Sequence, residues 1–154
     1  MPASRSLPDP LPMSSELRVL IIDDHVDCAS SLGCLLETMG CRTAAAYGGD
    51  MGRRMATLFR PDLVFLDLEM PGANGCEVLA EIRRLGGPAS EAMFVCLTGT
   101  QTARAEEQCV AAGFDEFVRK PIGYLALADI VARALDRPRR GAAARAAVMA
   151  ADPG

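Results

Sequence analysis

Residues 63–75, LVFLDLEMPGANG, are the stretch on which the fold turns. Leu63, Val64, Phe65 and Leu66 form an unbroken apolar run, bounded by Pro61-Asp62 before and Pro71-Gly72 after. A run too short for a helix and flanked by breakers predicts a strand buried on both faces. Asp67 ends it, an acid where an apolar strand meets a loop. Burying a lone carboxylate costs several kcal/mol, roughly, so a cation is expected beside it at the strand's open end. The carboxyl end of a central parallel strand is where open α/β sheets place their chemistry. Asp is also a common turn residue, and Asp67 taken alone fits a turn cap equally well.

Upstream, residues 17–22 (LRVLII) predict a first strand, and it ends in the adjacent acids Asp23 and Asp24. A helix over 27–39 puts Ala29, Leu32, Leu36 and Met39 on one face, with Gly40 as its stop. Residues 41–46 give a weaker strand. A helix over 50–59 is expected to turn Met51, Met55, Leu58 and Phe59 inward and to leave Arg53, Arg54 and Arg60 in water. Downstream, a helix over 76–85 buries Val78, Leu79 and Ile82, and Gly86-Gly87-Pro88 breaks it. A second fully apolar strand over 93–97 runs into Thr98-Gly99-Thr100. Residues 103–112 form a helix closed by Gly113, and the short strand 116–118 ends in Arg119-Lys120-Pro121. The last helix spans 122–135 and buries Leu127, Ile130, Val131 and Ala134. Strand and helix thus alternate five times without a hairpin signal. That pattern predicts an α/β, doubly wound, five-stranded parallel sheet with right-handed crossovers and helices on both faces.

The chain has 154 residues, enough for one domain with a real core. Residues 1–15 are expected to be a disordered lead, 16–135 the domain, and 136–154 an Arg/Ala-rich tail, a helical extension or disordered. Half the residues are hydrophobic and the net charge is -4, which argues against a disordered chain or a nucleic-acid binder. No apolar run approaches the ~18 residues of a membrane span, and the lead lacks the apolar core of a signal peptide. A cytoplasmic protein is expected. The six cysteines (28, 34, 41, 76, 96, 109) show no metal-ligand spacing and read as small buried hydrophobes in a reducing compartment. Of sixteen basic residues only Lys120 is Lys. Arg presents a planar fork, whereas Lys delivers a point charge on a slim stem.

In a parallel sheet the strand ends share one edge, so Asp23, Asp24, Asp67, Thr98 and Lys120 converge on one crevice. Three carboxylates that close are not all comfortably ionised without a cation. One Lys neutralises only part of the charge, so a hard divalent ion is implied, and Mg2+ suits oxygen ligands best. The Glu69 backbone carbonyl, just past Asp67, is placed to add another oxygen. With metal, Lys120 and Thr98 around it, Asp67 is set up as a nucleophile toward a phosphoryl group, whose transfer is mostly positioning and charge neutralisation. The added dianion would draw Thr98 toward it and open space for Phe117 to rotate inward, a phospho-switch. His25, the only histidine, opens the first helix, and no other histidine exists to act as an internal donor. The phosphodonor is therefore another molecule.

These residues resemble the receiver domain of two-component response regulators, over roughly 17–135. The matching positions are Asp23-Asp24, Asp67 in DLEMPGANG, Thr98 in LTG, Lys120-Pro121 in VRKP, and Phe117 at the family's switch aromatic. The resemblance implies the (βα)5 flavodoxin-like fold with strand order 2-1-3-4-5. It implies direct magnesium binding by Asp24, with Asp23 assisting partly through water, and phosphoryl transfer from a histidine kinase or histidine phosphotransfer protein. Glu69 and Thr100 fall where the family tunes hydrolysis, and the LTGTQ and AAGFDEFVRKP stretches are similar to receivers of hybrid histidine kinases. Output is expected through a protein target on the face made by the fourth helix, fifth strand and fifth helix, with neither nucleic acid nor membrane as partner, and without turnover of a separate substrate. Two alternatives remain. A haloacid-dehalogenase-type phosphatase would need a DxDxT-like motif that Asp23-Asp24-His25 does not supply. A DNA-binding regulator would have to use the short basic tail.

Overall fold

A computed structural model describes residues 16–99 and 103–137. The sheet strands are β1 (Arg18–Ile22), β2 (Arg42–Ala46), β3 (Leu63–Asp67), β4 (Met93–Thr98) and β5 (Glu116–Arg119). The helices are α1 (Val26–Thr38), α2 (Gly49–Phe59), α3 (Gly75–Leu85), α4 (Ala103–Ala112) and α5 (Tyr124–Asp136). All pairings in the five-stranded sheet are parallel and the order is β2-β1-β3-β4-β5. This is the flavodoxin-like order the sequence implies, with its switch point between β1 and β3.

The period of two along each strand divides the core in two. Leu20, Ile22, Val64 and Leu66 pack with Ala56 of α2, Val78, Leu79 and Ile82 of α3, and Ala105 and Cys109 of α4. Val19, Ile21, Leu63 and Phe65 pack with Ala29, Leu32 and Leu36 of α1, and Leu127, Ile130 and Val131 of α5. Every residue of β3 is buried because both of its faces are covered.

Of the six cysteines expected to be buried, only Cys41, Cys96 and Cys109 are, while Cys28 and Cys34 are exposed and Cys76 is intermediate. Two further expectations need correction. Helix α2 buries Gly49, Gly52 and Ala56, not a stripe of large residues. Met51 and Leu58 lie outside, Leu58 at 76 % exposure, while Met55 and Phe59 only partly tuck in. The reason is contact distance. A Cβ on Gly52 would stand 2.8 Å from Ile22 Cδ1, so the helix backbone itself lies on β1 and leaves no room for methionine. The second correction concerns hairpins. Glu69–Met70 and Ala73–Asn74 form a two-residue antiparallel ribbon around Pro71-Gly72, with Gly72 at φ +71. The lead 1–15, Thr100 and the tail from 138 lie outside the described residues, and α5 extends through Asp136.

Candidate functional site

The carboxyl edge of β1 and β3 gathers the acids. Asp23 follows β1, and its N–H is fixed by the Ala46 carbonyl of β2 at 3.0 Å. Asp67 ends β3, and Leu68 N–H beyond it donates to the Leu97 carbonyl of β4 at 2.9 Å. Lys120 follows β5, its N–H bonded to the Thr98 carbonyl at 2.8 Å. Main-chain ladders therefore hold the three side chains in place before any of them touch.

Their contacts are short and unequal. Lys120 Nζ lies 2.8 Å from Asp23 Oδ2 and 3.2 Å from Asp67 Oδ2. Asp23 and Asp67 are almost fully buried, at 1 % and 2 % exposure. Burial works against ionisation of Asp23, but the Lys120 hydrogen bond and the His25 backbone N–H at 2.9 Å outweigh it and hold its pKa below the usual carboxylate range. Burial dominates at Asp67. The Glu69 N–H at 3.1 Å and the more distant Lys120 charge lower its pKa, the Asp23 charge raises it, and the net result is a carboxyl pushed up to about 6. For Lys120, burial favours the neutral amine, yet the Asp23 hydrogen bond and the two carboxylate charges push the ammonium's pKa upward.

Asp24 Oδ1 is buried without a hydrogen-bond partner. A carboxylate oxygen left in that state signals a missing cation or water. Asp23, Asp24, His25 and Asp67 each offer a ligand atom, and all four atoms lie within 4.8 Å of one another. The donors are mostly hard oxygens, so the set fits a divalent ion of the Mg2+ type. Glu69 opens the ribbon with its N–H committed to the Asp67 carboxylate, which holds its backbone beside the acid.

Of the remaining expected residues, Thr98 ends β4 and is fully buried, its neighbour Leu97 paired with Asp67 across the sheet. Phe117, paired with Cys96 in β5, is half-buried with its ring on the α2–α3–α4 side of the core. It stands in the apolar layer, not among the polar groups. Two residues carry more than the sequence reading gave them. Asn74 caps α3, its Oδ1 accepting from Cys76 N–H at 2.7 Å. Gly75 is forced by space: a Cβ there would lie 2.6 Å from the Asp67 carbonyl oxygen. The small residue after Asn74 was the available signal, but only the return of the ribbon onto Asp67 explains it. His25 opens α1 as expected, and its ring in addition turns toward Asp23 and Asp24.

A family profile described as "Response regulator receiver domain" matches residues 19–132. The chain belongs to that family, the receiver domain of two-component signalling proteins. It is similar to the transcriptional regulatory protein PrrA of Mycobacterium tuberculosis, 35 % identical over 130 residues that make up 82 % of this chain and 52 % of PrrA. The virulence sensor protein BvgS of Bordetella bronchiseptica is 33 % identical over 130 residues, 82 % of this chain and 10 % of BvgS. The chain thus spans about half of one relative and a tenth of the other. A two-component response regulator from Clostridium difficile shares the fold with a TM-score of 0.73 at 23 % identity, over 79 % of this chain and 98 % of that one. No helix among the described residues is long and apolar enough to cross a membrane.

Proposed function

We propose that residues 16–135 form a phosphoacceptor that takes a phosphoryl group onto Asp67 from a phosphohistidine of a histidine kinase or histidine phosphotransfer protein. The observation that carries this reading is the unequal clasp of Lys120 on Asp23 and Asp67 beside the unpartnered Asp24 oxygen. Asp23 is the carboxylate that Lys120 neutralises more closely. Asp67 keeps a less fully compensated oxygen at the sheet edge, where a nucleophile belongs. An Asp67 oxygen forms the P–O bond while the P–N bond to the donor imidazole breaks, and the electron pair of that bond leaves with the imidazole. Lys120 offsets charge on the phosphoryl oxygens, and the Thr98 hydroxyl donates a hydrogen bond to one of them. Asp23, Asp24, Asp67 and the Glu69 carbonyl would hold Mg2+. When bound, it would supply further neutralisation of phosphoryl charge.

The added charge pulls on Thr98 at the end of β4, and Phe117 one strand over moves in response, altering the α4–β5–α5 face for a protein target. In this reading the domain works in the cytoplasm and has no separate substrate; PrrA and BvgS, by their names, are parts of regulation and sensing, and this chain resembles a segment of each.

The test is Mg2+-dependent labelling by a small phosphodonor such as acetyl phosphate, with wild type and Asp67→Asn compared. A hydroxylamine-labile label in wild type that is absent in the variant is expected. Labelling that survives the substitution overturns the assignment. Because only the ionised carboxylate attacks, the initial labelling rate in limiting Mg2+ is expected to rise as pH passes through about 6.

A further inference from the structure

We propose that His25 supplies a nitrogen ligand to the acidic pocket and shifts its preference from Mg2+ toward first-row transition ions of the Fe2+-to-Zn2+ series. This rests on the receiver reading, since the carboxylates are those assigned there to the metal.

His25 is the N-cap of α1, with φ -86 and ψ 101, yet its side chain makes no capping hydrogen bond. The ring is turned the other way. Nδ1 lies 3.2 Å from Asp23 Oδ1, 3.4 Å from Asp24 Oδ1 and 4.0 Å from Asp67 Oδ2. The His25 backbone N–H also donates to Asp23 Oδ1, at 2.9 Å. Lys120 holds the Oδ2 atoms of Asp23 and Asp67, so the oxygens nearest the ring are Asp23 Oδ1 and Asp24 Oδ1, the latter without a hydrogen bond.

The spacings are those of ligands sharing an ion. Donors about 2.1 Å from one centre stand about 3 Å apart when adjacent and about 4 Å apart when opposite. The ring nitrogen's separations from the Asp23 and Asp24 oxygens, 3.2 and 3.4 Å, match adjacent donors, the shorter being hydrogen-bond distance as well, whereas the Asp67 oxygen 4.0 Å away is the one Lys120 holds. The ring is 62 % exposed, so an arriving ion meets it without rearrangement of the core.

The selectivity follows from donor chemistry. An all-oxygen pocket suits Mg2+, which keeps several waters and dehydrates reluctantly, so a ring nitrogen adds little to its binding. Imidazole binds the later first-row ions well, and their affinity for mixed nitrogen and oxygen sites climbs along the series.

The competing account is that the ring is an internal cation pairing with the acids and excluding any metal. Equilibrium competition between Co2+ and Mg2+ on the full chain separates the two, using wild type, His25→Ala and His25→Gln. Outer partners of metal ligands are commonly worth about 10–100-fold in affinity. Loss of a ligand itself is therefore expected to lower the Co2+-to-Mg2+ affinity ratio at least tenfold in both variants. Pulsed EPR of the Mn2+-loaded protein is expected to show a directly bound nitrogen in wild type and none in either variant. An unchanged ratio overturns the proposal, as does tighter binding of both ions in His25→Ala, or a thiolate-to-cobalt charge-transfer band placing the ion on cysteine. If wild type binds Mg2+ and the ratio ignores His25, this inference alone fails. If wild type binds neither ion, the metal pocket of the receiver reading fails with it.

Discussion

Replacing Asp67 by Asn is expected to stabilise the metal-free protein at neutral pH, by an amount that the buried charge sets. In the folded chain its carboxyl is raised from 3.8 to about 6, chiefly by burial, so the folded state binds this proton more tightly than the unfolded state does. A raised carboxyl contributes stability that is fully present below about 3.8 and is lost as pH rises through about 6. By linkage the loss amounts to about 3 kcal/mol at pH 7.5. Asn has no proton to lose and stays near the protonated level. At pH 4.5, where Asp67 is mostly protonated in the folded chain, the same arithmetic leaves a gap of about 1 kcal/mol. Acids remote from the pocket act on both proteins and cancel in the comparison, whereas Asp23 and Lys120 interact with Asp67 and respond to its replacement. Urea denaturation in EDTA across pH 4.5–7.5 measures the gap. In a thermal melt at pH 7.5 it corresponds to about 10 °C for a domain of this size. Excess Mg2+ is expected to narrow it, because an ion that prefers the ionised pocket stabilises wild type by mass action. An Asn variant no more stable than wild type at pH 7.5, or a gap that holds constant down to pH 4.5, would refute the electrostatic account of the site.

Lys120→Ala leaves Asp23 and Asp67 buried without their shared cation, and should cost about 3–5 kcal/mol in EDTA at pH 7.5, with part of the loss recovered toward pH 5 as Asp67 takes up a proton. Gly75→Ala drives a Cβ to 2.6 Å from the Asp67 carbonyl and 2.9 Å from Leu68 Cα, where neither backbone atom can retreat cheaply. A loss of about 1–3 kcal/mol in urea denaturation is expected, whereas an unaffected variant would mean that the ribbon moves freely. A thiol reagent at pH 8 should modify the exposed Cys28 and Cys34 first and leave Cys41, Cys96 and Cys109 untouched until the chain unfolds. Burial raises the pKa of all three protected thiols, and those of Cys96 and Cys109 meet each other at 2.7 Å in the core. Mass mapping of the labelled cysteines checks the order.

The sheet was legible because its central strands are apolar without interruption, and a strand covered on both faces needs nothing else. Asp23, Asp67 and Lys120 were legible for the converse reason: a charge ending such a strand has no packing explanation. What the sequence hid depends on distance between segments far apart in the chain. Nothing local to Gly49, Gly52 and Ala56 says that they, and not Met51 and Leu58, touch the sheet. Gly52 meets Ile22 across thirty positions, and helical periodicity weighs residues by hydrophobicity rather than by how close a backbone must come. The ribbon escaped for a related reason, since two residues a side give no alternation to detect. His25 does open the first helix, as its place after the acid pair implies, and what no local pattern shows is that its ring lies beside Asp23 and Asp24.

The unequal sharing of Lys120 bears on how such a pocket can switch. If the ammonium sat equally on both acids, neither would be distinguished, and charge added to one would have to break a symmetric clasp. Instead the shorter contact goes to Asp23, whose pKa is held down, while Asp67 at 3.2 Å stays the easier of the two to protonate. A phosphoryl group on Asp67 would raise the negative charge on that side, and an adjustment of well under an ångström would let the same ammonium favour it. Lys120 hangs from a backbone N–H bonded to the Thr98 carbonyl, so any pull on the lysine stem bears on the end of β4 and, through the Thr98–Arg119 pairing, on β5. On the proposed reading, a path from Asp67 to the α4–β5–α5 face would need only bonds already made, and Lys120→Arg tests it. Arginine preserves the charge but spreads it over a planar fork. If Asp67 is still labelled in that variant while Phe117, followed by NMR, no longer responds to phosphorylation, the lysine transmits the signal as well as neutralising it. If the Phe117 response persists undiminished, transmission runs through Thr98 alone.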